Sequence, residues 1–221
     1  MSATANSARI QPFFDEATNT VSYLVFDPAT RQGAVIDPVL DWDHRSGEAD
    51  TRSADRLIEA ARQEGIAIAL ILETHAHADH LTAAPYIKQL CGGQIGIGEY
   101  IKDVQRIFRP VFAAEDVKPE GGDFDLLFHD GQHIALGSLD IEVIHTPGHT
   151  PACVCYRIGD DVFVGDSGGD ARLQQEPGPG VVVGGRLGRQ QFHGDRSTQD
   201  RVTGLINLRH AAAEVSVQLV F

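Results

Sequence analysis

Residues 66–72 are a continuous apolar run, and it leads straight into Thr74-His75-Ala76-His77-Ala78-Asp79-His80. An unbroken apolar stretch of that length reads as a strand buried on both faces, the central position in a sheet. The chain therefore delivers three imidazoles and a carboxylate to the end of a buried strand. Buried as neutral core, such groups are costly, and protonated imidazoles repel one another. A divalent cation resolves both problems, because imidazole nitrogen and carboxylate oxygen are its ordinary ligands. His75 and His77 are two apart, so extended backbone can place them on one side. Asp79 and His80 follow as the chain turns toward the next helix and can face a neighbouring position. One segment can thus address two adjacent metal positions.

Two further segments repeat the pattern of a strand ending in a polar turn. Thr146-Pro147-Gly148-His149-Thr150 puts His149 just after a Pro-Gly turn, which fixes its direction. Gly165-Asp166 ends the apolar strand 161–164, so Asp166 projects from that strand's end. Ligands in sheet-based sites commonly gather beyond strand ends. The candidate set is His75, His149 and Asp166, with His77, Asp79 and His80 beside it or forming a second site. Asp37 ends an earlier strand and could accept the free N–H of a ligand imidazole, a partner that metal sites usually require. His145 reads as a strand-end residue, and His44 as a solvated loop residue.

Turn residues divide the chain before this region into short strands at 10–14, 21–26 and 33–36. Residues 43–53 read as a polar loop. Ser53 is the expected N-cap of a helix over 54–63, with Gly65 as its stop. Helices follow at 83–90 and 101–108 around a short strand at 95–97, and 115–122 reads as an acidic connection. Strands are expected at 132–136, 139–144, 152–158 and 161–164. This order, with strands before and after alternating helices, predicts sheet layers covered by helices.

The formal charge of −13 repels phosphate backbones, which argues against nucleic acid as a partner. The polar N-terminus has no apolar signal region, and no apolar run is long enough to span a bilayer. Cys91, Cys153 and Cys155 form no CxxC and no even framework, so they read as reduced structural thiols of a cytoplasmic protein.

The residues quoted above resemble the metallo-β-lactamase superfamily: its early Asp at Asp37, its HxHxDH segment at His75 to His80, its third His at His149 and its bridging Asp at Asp166. Within it the chain is similar to the persulfide (sulfur) dioxygenases, in particular the bacterial branch called β-lactamase hydrolase-like. The resembling text includes Val35-Ile36-Asp37-Pro38-Val39, Glu73-Thr74-His75-Ala76-His77-Ala78-Asp79-His80-Leu81, His145-Thr146-Pro147-Gly148-His149-Thr150 and Val164-Gly165-Asp166-Ser167. The resemblance implies an αββα sandwich with one Fe(II) on His75, His149 and Asp166. It also implies oxidation of glutathione persulfide by O2 to sulfite and glutathione. Two alternatives are a Zn(II) hydrolase of the glyoxalase II type, acting on glutathione thioesters, and a metal-binding but inactive protein.

After Ser167 the text departs from that family. Of the 31 acidic side chains only Glu176, Asp195, Asp200 and Glu214 lie beyond residue 171, where Gly, Arg and Gln are plentiful. The expected division is a core over 1–170 carrying the metal site, and an aberrant tail over 171–221. That tail is expected to impair substrate binding and to leave strand edges that promote association, a homodimer included.

Overall fold

The protein is described from a computed structural model covering residues 7–77, 80–111, 113 and 120–166. The expected aberrant tail, the division at residue 170 and Asp79 lie outside the described residues. A six-stranded sheet runs in the order β1 (Arg9–Asp15), β2 (Thr20–Phe26), β3 (Gln32–Ile36), β6 (Ala67–Leu72), β8 (Gln94–Gly98), β9 (Leu126–Phe128). The first two pairings are antiparallel, and those from β3 through β9 are parallel. Strand β6, the apolar run, is central as expected. A four-stranded antiparallel sheet follows, β10 (His133–Leu136), β11 (Leu139–His145), β12 (Val154–Ile158) and β13 (Asp161–Phe163).

The two sheets face each other. Val25, Ile36, Leu70 and Leu72 of the first pack with Leu136, Ile141, Val143, Tyr156 and Phe163 of the second in one buried cluster. On the outer face of the first sheet, Leu24, Val35 and Ile71 pack against Leu57, Ile58 and Ala61 of α1 (Arg52–Gln63) and Ile87 of α2 (Ala84–Cys91). Alternation along β2 and β3 thus feeds two cores from one sheet, in an α-β-β layering. The third helix, α3 (Ile101–Val111), buries Ile101 and Val104 against Ile97 and Ala152. Among the described residues no helix is long and apolar enough to cross a membrane.

Two local expectations are corrected. Residues 43–53 are not all loop: β4 (Val39–Asp43) pairs with β5 (Glu48–Asp50) and, on its other side, with β7 (Leu81–Thr82). The helix after them starts at Arg52, with Thr51 at the N-cap position, so Ser53 lies inside its first turn. A carboxylate from another element supplies the cap. Asp41 on β4 accepts the Ser53 backbone N–H at 2.8 Å and the Ser53 hydroxyl at 2.9 Å. Strand β9 was not expected either, since Leu126–Phe128 is too short to show a period.

Candidate metal centre

The centre forms where β3, β6, β11 and β13 end, at the joint between the two sheets. Two bonds tie the loop after β6 to the second sheet. The Val154 backbone N–H donates to Thr74 O at 2.9 Å, and the buried Tyr156 hydroxyl donates to Glu73 O at 2.8 Å. Between Thr74 and Asp166 the chains touch so closely that Gly165, at φ 50, has no room for a Cβ beside the Thr74 side chain.

Asp37 organises the loop from below. It adopts φ 48, a left-handed conformation that Asp tolerates better than most residues, and its carbonyl accepts the buried Ser22 hydroxyl. Its Oδ1 accepts the Thr74 backbone N–H at 2.7 Å, and its Oδ2 accepts the Thr74 hydroxyl at 2.9 Å. The Thr74 proton is thereby committed to a carboxylate, so Thr74 Oγ1 can only accept from His75 Nδ1, 2.9 Å away. Nδ1 of His75 then carries the hydrogen, and Nε2 presents its lone pair. A relay Asp37–Thr74–His75 fixes both the tautomer and the ring direction.

That Nε2 meets the other two candidates. Asp166 Oδ2 lies 3.9 Å from His75 Nε2 and 3.7 Å from His149 Nε2. One ligand atom from each of the three residues falls within 4.8 Å of the others. The His75 and His149 rings meet edge to face, with centroids 4.9 Å apart. His75 is 1% exposed at its side chain, Asp166 15% and His149 43%, so the set is walled on one side and open on the other. Two ligands each about 2.1 Å from a shared ion lie about 3.0–3.5 Å apart. The observed separations are slightly wider than that and too long for direct hydrogen bonds. The donor set of two neutral-capable imidazoles and one carboxylate fits a divalent transition metal.

His77 is differently engaged. Its Nε2 lies 3.1 Å from Asp37 Oδ1 and 3.2 Å from Glu73 Oε2, in a second buried cluster of potential ligand atoms. Burial opposes charge on this ring, but the Asp37 and Glu73 carboxylates outweigh it and push His77 up to about 10. Burial likewise raises Asp37, yet His77 and the Thr74 donors more than offset it and hold Asp37 low. Glu73 is raised, chiefly by burial, with His77 partly countering. With Nε2 occupied, Nδ1 is the only nitrogen through which His77 can face a metal. The His80 ring lies against that of His77, with centroids 4.1 Å apart and planes tilted by 32°, and donates from Nδ1 to Leu81 O at 2.9 Å, so that any ligation by His80 would use Nε2.

Of the residues that sequence reasoning brought out, the structure brings His75, His149 and Asp166 together and places Asp37 with His77 and Glu73 in the second group, linked to His75 through Thr74. It missed Glu73 and the orienting roles of Thr74 and Tyr156. The one available signal was a Glu placed where a fully apolar strand ends, a position that buries its side chain.

Comparison with known proteins shows the family. The chain matches the Metallo-beta-lactamase superfamily over residues 16–208. It is 42% identical over 159 residues to a "Beta-lactamase hydrolase-like protein" of Xylella fastidiosa, covering 72% of this chain and 37% of that one. It is 40% identical to "Glyoxylase B2" of Dictyostelium discoideum, covering 74% and 57%. It is 27% identical to the mitochondrial "Persulfide dioxygenase ETHE1" of Homo sapiens, covering 72% and 52%. The chain thus spans between 37% and 57% of the length of these relatives. Among solved structures, ETHE1 from Myxococcus xanthus superposes with a TM-score of 0.55 at 26% identity, covering 72% of this chain and 57% of that one.

Proposed function

Since the chain belongs to the metallo-β-lactamase superfamily, a superfamily of metal-dependent enzymes, we propose that it is an iron-dependent dioxygenase that oxidises glutathione persulfide to sulfite and glutathione. In the balanced reaction, persulfide, O2 and water give glutathione and sulfurous acid. The observation that carries the reading is the three-ligand set of His75, His149 and Asp166. Two imidazoles and one carboxylate on one side leave the opposite side open, the arrangement used by non-haem iron oxygenases. The ion would be Fe(II), which supplies the redox chemistry between O2 and the sulfane sulfur.

The protein's own groups have separate tasks. The Thr74 hydroxyl keeps His75 Nε2 unprotonated and aimed at the centre. Asp166 brings a negative charge that offsets part of the cation's. Glu73 and Asp37 hold His77 by Nε2, and His80 packs against it, closing the inner side to water. His149, the most exposed of the three, borders the open side where a small thiol would enter. The free cysteines Cys91, Cys153 and Cys155 accord with a reducing compartment such as the cytoplasm.

A second reading has support from the relatives: the name "Beta-lactamase hydrolase-like protein" favours a hydrolase, and "Glyoxylase B2" accords with the glyoxalase II alternative, which would use Zn(II) on a glutathione thioester. One experiment separates them. Purified protein reconstituted with Fe(II) or with Zn(II) is assayed for O2 uptake and sulfite release on glutathione persulfide, and for thiol release on a glutathione thioester. O2 uptake stoichiometric with sulfite, seen only with Fe(II), is the expected result. Thioester cleavage with Zn(II) and no O2 uptake with Fe(II) would overturn the proposal in favour of the hydrolase.

A further inference from the structure

His149 is the most exposed of the three candidate ligands, and it rides on a loop rather than on a strand. Such a ligand keeps its direction only if the loop is closed by other contacts. The Thr146 backbone N–H donates to Cys153 O at 2.9 Å, and the Thr150 N–H donates to Cys153 Sγ at 3.1 Å. Thr150 also accepts from the Ala152 N–H through its hydroxyl oxygen, and a further, longer-range contact comes from His145. Its ring Nε2 lies 2.9 Å from Pro151 O, across six residues. A carbonyl only accepts, so Nε2 carries the hydrogen and donates. The ring is itself held: Tyr100, immediately before α3, stacks on it with centroids 4.4 Å apart and planes 19° apart. The His145 backbone N–H also donates to Asp130 Oδ1 at 2.7 Å.

We propose that His145, backed by Tyr100, is a positioning residue: it staples the loop through Pro151 and so fixes the direction of His149. The inference rests on the metal-centre reading above and deepens it. His145 is the last residue of β11, the strand end expected from the sequence, and its imidazole acts through Nε2–H rather than as a ligand.

The test uses side chains that mimic one ring nitrogen each. His145→Gln places an amide N–H near the position of Nε2 and can still reach Pro151 O, whereas His145→Asn reaches only the position of Nδ1. Metal affinity is measured by chelator competition with Fe(II) and Zn(II), alongside Tm of the metal-free protein. Amide exchange of Gly148, His149 and Thr150 is followed in the metal-free protein. The expected result is that His145→Asn weakens binding by about tenfold, the low end for partners that orient a ligand. His145→Gln should stay close to the unaltered protein, with Tm unchanged in both and exchange faster only in His145→Asn. Equal binding in His145→Asn, equal loss in both variants, or a loss matched by a fall in metal-free Tm would overturn the staple. If the unaltered protein binds no metal at all, the metal-centre reading fails, and the exchange rates alone decide the staple.

Discussion

Thr74 has one hydroxyl proton and two neighbours that want it, and the Asp37 carboxylate takes it. The consequence for His75 is a specific substitution series. Thr74→Val removes the donor to Asp37 and the acceptor for His75 Nδ1 together, while keeping the volume. Metal affinity should fall by about 10–100-fold, the usual effect of losing an outer partner of a ligand imidazole. Thr74→Ser keeps the hydroxyl and should lose far less. Chelator competition checks both, and a Thr74→Val protein that binds as tightly as the unaltered one would remove the relay from the account. A second residue-level prediction concerns Tyr156, whose buried hydroxyl donates to Glu73 O. Tyr156→Phe leaves that carbonyl without this donor and should lower stability by about 1–3 kcal/mol, read from the urea midpoint at unchanged m.

Asp27 works at the scale of elements. It sits after β2 and accepts from the Ala29 N–H and Thr30 hydroxyl in its own turn, then from the Ser138 N–H and hydroxyl in the turn between β10 and β11. One carboxylate thereby pins a turn of each sheet to the other. The Ser138 N–H leads the donors that outweigh desolvation and hold Asp27 well below the usual carboxylate range. A folded-state pKa that is depressed contributes stability above the unfolded value, and loses it as pH falls through the ordinary carboxylate range toward the depressed value. Tm of the unaltered protein should therefore drop on acidification below about pH 4 more steeply than Tm of Asp27→Asn. Parallel acid limbs for the two proteins would show that Asp27 does not carry this dependence.

Elements also show what could be read from the chain and what could not. Strand β6 was legible because seven apolar residues in a row fit few other places, and its length fixed where His75 would emerge. The turn residues Pro147-Gly148 and Gly165 likewise gave away the positions of His149 and Asp166. The β4–β5 hairpin was not legible, because Asp41, Trp42 and Asp43 carry no alternation and β4 depends on a two-residue partner, β7. The start of α1 was misplaced for a related reason: its cap comes from Asp41, a contact between elements that no local rule contains. Glu73 escaped notice because its role arises only once His77 and Thr82 fold back beside it, with Thr82 donating at 2.5 Å.

At the scale of the whole molecule, the change of composition near residue 171 leads us to propose a boundary there, with the centre on its N-terminal side. Brief trypsin treatment of the intact metal-loaded protein should cut first at arginines such as Arg186, Arg189 and Arg196 and leave a metal-bound fragment. Early cuts within 7–166 would contradict that division. We propose that His75, His149 and Asp166 together hold one ion, and metal content tests this most directly. Protein made without a His-tag in metal-replete medium is analysed for Fe, Zn and Mn, beside His75→Ala, His149→Ala, Asp166→Ala and His80→Ala. About one ion per chain is expected in the unaltered protein, in keeping with a three-ligand site. Each of the first three variants should lose most of that ion, and His80→Ala should retain it. A protein free of all three metals, or one whose content survives Asp166→Ala, would contradict it.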